Sequence, residues 1–168
     1  KNSFNLIIFH RDRRSLMPAF NEHLVEMKKT GQKIINFNID GTNKERINET
    51  LALITDQVPN LSFDLILHAI SRGNLKPFVS KENQPTLTAQ DVALTIDAMA
   101  TNVLTWVQTL KGHSLLKSGS RLVTLTSAGS ARYWKGYGAV AMAKSSLEIL
   151  SKYLAVELAP FGIRVNCI

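Results

Sequence analysis

Tyr137 and Lys144 lie seven positions apart in YGAVAMAK (137–144), and the residues between them are small or apolar. Seven residues make about two helical turns, so the spacing predicts both side chains on one helix face. A lysine ammonium near a phenol favours the phenolate and lowers the pKa of the hydroxyl. Such a tyrosine can pass a proton to a developing oxyanion near neutral pH. The same spacing describes the polar edge of an amphipathic helix, and the pair alone does not decide between the two.

A second cluster with chemical potential is FHRDRR (9–14), which holds Arg11, Arg13 and Arg14. Arginine offers a planar fork that matches phosphate oxygens. Basic side chains at the start of a helix oppose its dipole, which makes an anionic ligand plausible there. A solvated basic helix start is the alternative. Asp40, at the end of NFNID, suits either a ligand contact or an ordinary helix cap.

The elements that must position these groups read from the apolar pattern. Strand-type runs cover 4–10, 33–40, 63–70, 120–127 and 163–168. Helical patterns cover a segment starting near Ser15 or Pro18 and ending at Gly31, then 43–58, 89–117 and 138–158. Pro160 and Gly162 break the last helix before the final strand. Strands with continuous apolar runs alternate with helices, which predicts an α/β chain with a parallel sheet covered on both faces. A doubly wound sheet has another strand and a Gly-rich turn before its first helix. No G-x-G-x-x-G loop occurs in the sequence, so either this is not a dinucleotide-binding fold or that part is missing from these residues.

The 168 residues are 45% hydrophobic and 20% charged, as in a soluble globular protein with a real core. No window of 18 apolar residues predicts a membrane span, and no signal peptide is visible. The single cysteine, Cys167, excludes an internal disulfide and fits a reducing, cytoplasmic compartment. A formal charge of +7 favours acidic partners. No basic stretch interleaved with aromatics and no zinc-ligand spacing supports nucleic-acid or metal binding.

The segment LVTLTSAGSARYWKGYGAVAMAKSSLEILSKYLAVELAPFGIRVNCI (122–168) resembles the short-chain dehydrogenase/reductase family. That family has a strand ending in Ser or Thr, a loop, then an active-site Tyr and Lys on a long helix, and a passage of the type A-x-E-x-x-x-x-G-I-R-V-N. Six residues between Tyr137 and Lys144, rather than three, make the chain similar to the divergent branch of enoyl-acyl carrier protein reductases, especially the NADPH-dependent bacterial form.

The resemblance implies a Rossmann-like, three-layer αβα fold, with 1–168 as a single partial domain running from the second to the sixth strand, a homotetramer built on the two long helices, and an acidic acyl carrier protein as partner. It implies that NADPH, rather than NADH, reduces the trans-2 double bond of an enoyl thioester in fatty-acid elongation. Tyr137 would stabilise the enolate oxygen, and Lys144 would hold the nicotinamide ribose. Arg11 occupies the position that carries arginine in NADPH-dependent relatives, with Arg14 beside it. Asp40 would lie near the adenine, and His68, Ala69 and Ile70 match an H-S-I-G-like stretch lining the cofactor. Ser127 stands where many relatives carry a second aromatic residue, and Tyr133 would shape the acyl pocket with it. Trp134 and Met142 fit pocket or core. Met99 occupies the position of a relay asparagine in carbonyl-reducing members, with Asn102 one turn later. The alternatives are a carbonyl-reducing relative, opposed by Met99 and the Tyr–Lys spacing, and a catalytically silent binding member.

Overall fold

In the computed structural model, which describes residues 4–81 and 83–168, parallel strands alternate with helices in two compact units. The first unit runs to Leu53 and the second begins at Ile54. The expected α/β order is observed throughout the described residues.

The first unit contains β1 (Leu6–His10), α1 (Met17–Lys28), β2 (Ile34–Asn38) and the start of α2 (Lys44–Gln57). β1 and β2 pair in parallel, from Leu6 opposite Ile34 to His10 opposite Asn38. Phe9 and Phe37 stack across the pair at 5.6 Å. Pro18 pre-sets the first turn of α1, where its missing N–H leaves no bond unmade. The loop after β1 is stitched to the end of β2: Asp12 N–H donates to Asn38 Oδ1, and Asn38 Nδ2 donates to the Asp12 carbonyl. This fixes the backbone that carries Arg11.

The second unit contains β3 (Phe63–His68), α3 (Ala89–Ile96), α4 (Asn102–Gly112), β4 (Leu116–Thr124), α5 (Gly138–Leu158) and β5 (Arg164–Cys167). Its sheet has the parallel order β3-β4-β5. Val103, Val107, Leu122, Leu147, Leu154, Leu158, Ile163 and Val165 form its main core. Each sheet, taken by itself, is fully parallel, as in α/β folds.

Two expected boundaries are corrected. The helix drawn over 89–117 is α3 and α4 joined by a π turn at Asp97–Thr101, and it ends at Gly112. A π turn inserts one extra residue into the helical ladder. Small residues Ala98 and Ala100 are buried there, and Ala98 and Met99 pack with Val140 and Ala143 of α5. The strand expected at 120–127 is displaced toward the N-terminus, to 116–124. Gly119 adopts φ 93°, and Ser120 Oγ donates to the Phe63 carbonyl at 2.6 Å, so an irregular SGS step continues the strand. At the other end β4 is bounded at Thr124, although the Thr126 N–H still donates to the Ile168 carbonyl, and the Leu125 carbonyl accepts from Lys144 of α5.

The turn from α5 into β5 follows the sequence. Gly162 sits at φ 70°, and a Cβ there would come within 2.4 Å of Ser118 Oγ. The position thus excludes larger residues both by backbone conformation and by space.

Candidate active site

Tyr137 caps α5 rather than lying within it. Its backbone, at φ −94° and ψ 4°, has left the helical region, and its carbonyl accepts the Ala141 N–H at 2.8 Å. The expectation of a shared helical face is corrected to that extent: Lys144 is helical and Tyr137 is the residue from which the helix starts. A turn closed by Tyr137 N–H donating to the Trp134 carbonyl, with Gly136 at φ 73°, precedes it.

Both side chains nevertheless reach the same loop, the one following β4. The Tyr137 hydroxyl is 3.2 Å from Ser127 Oγ. Lys144 Nζ donates to the Leu125 carbonyl at 2.6 Å. Lys144 is 8% exposed, and burial pushes its pKa down from the ordinary lysine value, an effect opposed by the Cys167 thiol at the end of β5. The tyrosine ring is seated by Gly129. A Cβ at that position would fall 2.2 Å and 2.5 Å from the ring carbons Cε1 and Cδ1. Trp134 closes the ring edge-on at 5.1 Å, and Gly138 lies against the Phe78 ring.

His68, at the end of β3, is buried, and its Nε2 lies 3.1 Å from Asn102 Oδ1 at the start of α4. With a carbonyl oxygen facing it, Nε2 carries the proton and donates. Burial pushes the His68 pKa below its ordinary value, which the Asn102 bond opposes and the positive charge of Lys144 reinforces. The ring is therefore neutral at pH 7. Ala69 is exposed and Ile70 half-buried on the exit from β3. Tyr133, expected in a pocket, has its side chain in solvent at 89% exposure. Trp134 and Met142 are also exposed, whereas Met99 is core.

In the first unit, Arg11 Nη1 forms an ion pair with Asp40 Oδ2 at 2.9 Å. Asp40 Oδ1 accepts from the Thr42 N–H and the Thr42 hydroxyl, closing the turn into α2. The aspartate thus serves as turn former and ion-pair partner together. Arg13 and Arg14 are exposed. Asn38, Ile39, Asp40, Asn43 and Arg46 line an open groove of about 380 Å³.

In the second unit, His68, Leu125 and Ser127 lie at or just beyond the C-terminal ends of parallel strands, where open α/β sheets bind ligands. In the first unit, Asp40 lies just beyond the C-terminal end of β2, with Arg11 paired to it. Among the described residues no group of three or more His, Cys, Asp or Glu side chains could hold a metal ion.

Sequence reasoning passed over Gly129, the Leu125 carbonyl and the His68–Asn102 pair. Gly129 had one signal, a glycine among small residues just after a strand that leads to a tyrosine. The other two arise from contacts between distant segments, which spacing does not encode. Gly129→Ala tests the seating of the ring. It should displace Tyr137 from Ser127 and lower the turnover assayed below about tenfold or more, given the sensitivity of catalysis to misplacement on the ångström scale. A crystal structure of the variant with the 3.2 Å contact intact would show that the ring does not depend on this glycine.

The family model described as Enoyl-(Acyl carrier protein) reductase matches residues 7–168. The NADH FabI enoyl-[acyl-carrier-protein] reductase of Bacillus cereus is 32% identical over 143 residues, covering 82% of this chain and 52% of that protein. The NADPH FabI enzyme of Staphylococcus aureus is 30% identical over 139 residues, covering 79% and 49%. The chain thus spans about half the length of these curated relatives. The Bacillus cereus enoyl-acyl carrier protein reductase crystallised with NADP+ and indole naphthyridinone superimposes with a TM-score of 0.76 at 27% identity, over 97% of this chain and 60% of that one. The fold is therefore Rossmann-like, and the chain belongs to the enoyl-(acyl carrier protein) reductase family.

Proposed function

We propose that this protein reduces the trans-2 double bond of enoyl-acyl carrier protein with NADPH, as a cytoplasmic enzyme of fatty-acid elongation acting within one Rossmann-type domain. The observation that carries this reading is the convergence of Tyr137 and Lys144 on the loop 125–127. A nicotinamide dinucleotide, when bound, would supply a hydride for the β-carbon, with a proton from solvent for the α-carbon, giving the saturated thioester. Reduction at the β-carbon would place negative charge on the thioester oxygen. Tyr137 Oη–H donates to that oxygen, and the Ser127 hydroxyl donates in turn to Tyr137 Oη. Lys144 adds a fixed positive charge and a donor for the nicotinamide ribose, and Ala69 and Ile70 let the backbone after β3 approach the cofactor. Tyr133, exposed as it is, would meet the acyl chain or its carrier at the rim. The neighbouring Arg132 and Lys135 are exposed, and with the net charge of +7 they suit an acidic carrier.

The test follows NADPH oxidation with crotonyl thioester and with acetoacetyl thioester. Tyr137→Phe should reduce crotonyl turnover by about a hundredfold or more, the scale of losing a proton donor. Turnover of the ketone alone would replace the enoyl reading with a carbonyl reductase. NADPH binding without turnover of either substrate would favour a silent member.

Preference for NADPH rests on Arg11 and Arg14, since the named relatives include both NADH and NADPH enzymes. Arg11→Ala should weaken NADPH binding about tenfold, the order of one charge-assisted phosphate contact, and leave NADH binding nearly unchanged. An equal loss for both cofactors would remove Arg11 from 2′-phosphate recognition, leaving at most a contact common to both.

The same reading includes a homotetramer. Met142, Ile149, Tyr153 and Val156 are exposed apolar residues on α5, and Leu104 of α4 lies beside Ile149 and Tyr153 in a groove of about 450 Å³. Light scattering should give four copies, and Tyr153→Lys should lower that number. A monomer at micromolar concentration would contradict it.

A further inference from the structure

A carboxylate that plays no part in the proposed chemistry holds the loop on which that chemistry depends. Glu148 Oε1 accepts from Thr126 Oγ1 at 2.5 Å and from Ser130 Oγ at 2.7 Å. The two donors flank Ser127. The Ser130 hydroxyl also lies 3.0 Å from the Ser127 carbonyl, so its single proton is shared, with the shorter contact going to the charged acceptor. Thr126 is tied a second time, through its N–H to the Ile168 carbonyl.

Glu148 follows Lys144 by four residues on α5, so both side chains leave the same helical face one turn apart. Together with the capping residue Tyr137 they grip one short loop: Lys144 at Leu125, Glu148 at Thr126 and Ser130, Tyr137 at Ser127. The loop itself, TSAGSA, consists of small residues with little apolar surface to anchor it. Its geometry must come from hydrogen bonds. An unremarkable role is available for Glu148, that of a helix-surface carboxylate one turn before Lys152. It would not account for two hydroxyl donors converging on one oxygen.

We propose that Glu148 is a positioning residue, whose carboxylate clamps the loop on both sides of Ser127 and thereby fixes the Ser127–Tyr137 contact. The proposal rests on the reading of Tyr137 as the group that stabilises the substrate oxygen. The hydrogen bonds from Thr126 and then Ser130 hold the Glu148 carboxyl below the usual carboxylate range, so the clamp is charged at neutral pH.

The experiment uses the natural full-length protein with saturating NADPH and crotonyl thioester. Glu148→Ala should lower kcat about tenfold or more, with KM and NADPH affinity nearly unchanged, as expected when alignment rather than binding is lost. Glu148→Gln, whose amide oxygen still accepts hydrogen bonds, should restore most of kcat. Ser130→Ala, which alters the loop side of the clamp and leaves α5 intact, should reproduce part of the loss. In a Tyr137→Phe background, Glu148→Ala should add little, because the two residues act through one contact. Amide hydrogen exchange at 126–131 should speed up in Glu148→Ala.

A kcat for Glu148→Ala within about twofold of wild type would overturn the proposal, as would a loss that compounds fully with Tyr137→Phe. Should wild type fail to turn over crotonyl thioester, the enoyl reading fails by itself. Exchange at 126–131 then still decides whether Glu148 holds the loop, and unchanged exchange in Glu148→Ala sinks the clamp.

Discussion

An ammonium taken out of water needs acceptors, and the hydrogen bond from Lys144 to the Leu125 carbonyl supplies one. Much of the second unit is arranged around that bond. The Leu125 carbonyl lies just past the end of β4, between Thr124 and Thr126, whose backbone groups both pair with Ile168. For Lys144 to reach it, α5 must pack closely over the end of the sheet. Buried Ala143 on α5, packed with Ala98 and Met99, allows that approach. Deep burial of the Thr124–Ser151 hydroxyl pair, at 2.9 Å, holds the next two turns of the helix to the same strand.

What the loop then presents follows from small residues. Between Thr126 and Ala131 no side chain is larger than threonine. Close approach of the tyrosine ring to the backbone is possible only because Gly129 has no Cβ. The polar side chains of this stretch are used locally, on one another and on α5. The Tyr137 hydroxyl is thus seated by an absence of bulk on one side and by a hydrogen bond on the other.

The alternation of strands and helices was legible because continuous apolar runs and capping residues are local properties. Pro18 and Gly162 mark their turns for reasons of backbone conformation alone. The Tyr137–Lys144 spacing and the GIRVN passage pointed to the family that the comparison supports. The start of β4 was not legible, since it depends on a Ser120 side chain reaching Phe63. Neither was the π turn, because its sequence, DAMAT, has ordinary helix-forming composition and its extra residue shows only against α5. His68 looked like a possible ligand contact. Its pairing with Asn102, 34 positions away, makes it also a buried link between β3 and α4.

The Arg11–Asp40 ion pair ties a turn to a charge. Asp40 closes the turn into α2 through Thr42 with one oxygen and engages Arg11 with the other. On the proposed reading of Arg11 as a phosphate contact, an incoming anion would compete with Asp40 for Nη1. Discrimination between nucleotides would then be an exchange, graded rather than absolute, and a change at either member of the pair would reset its balance.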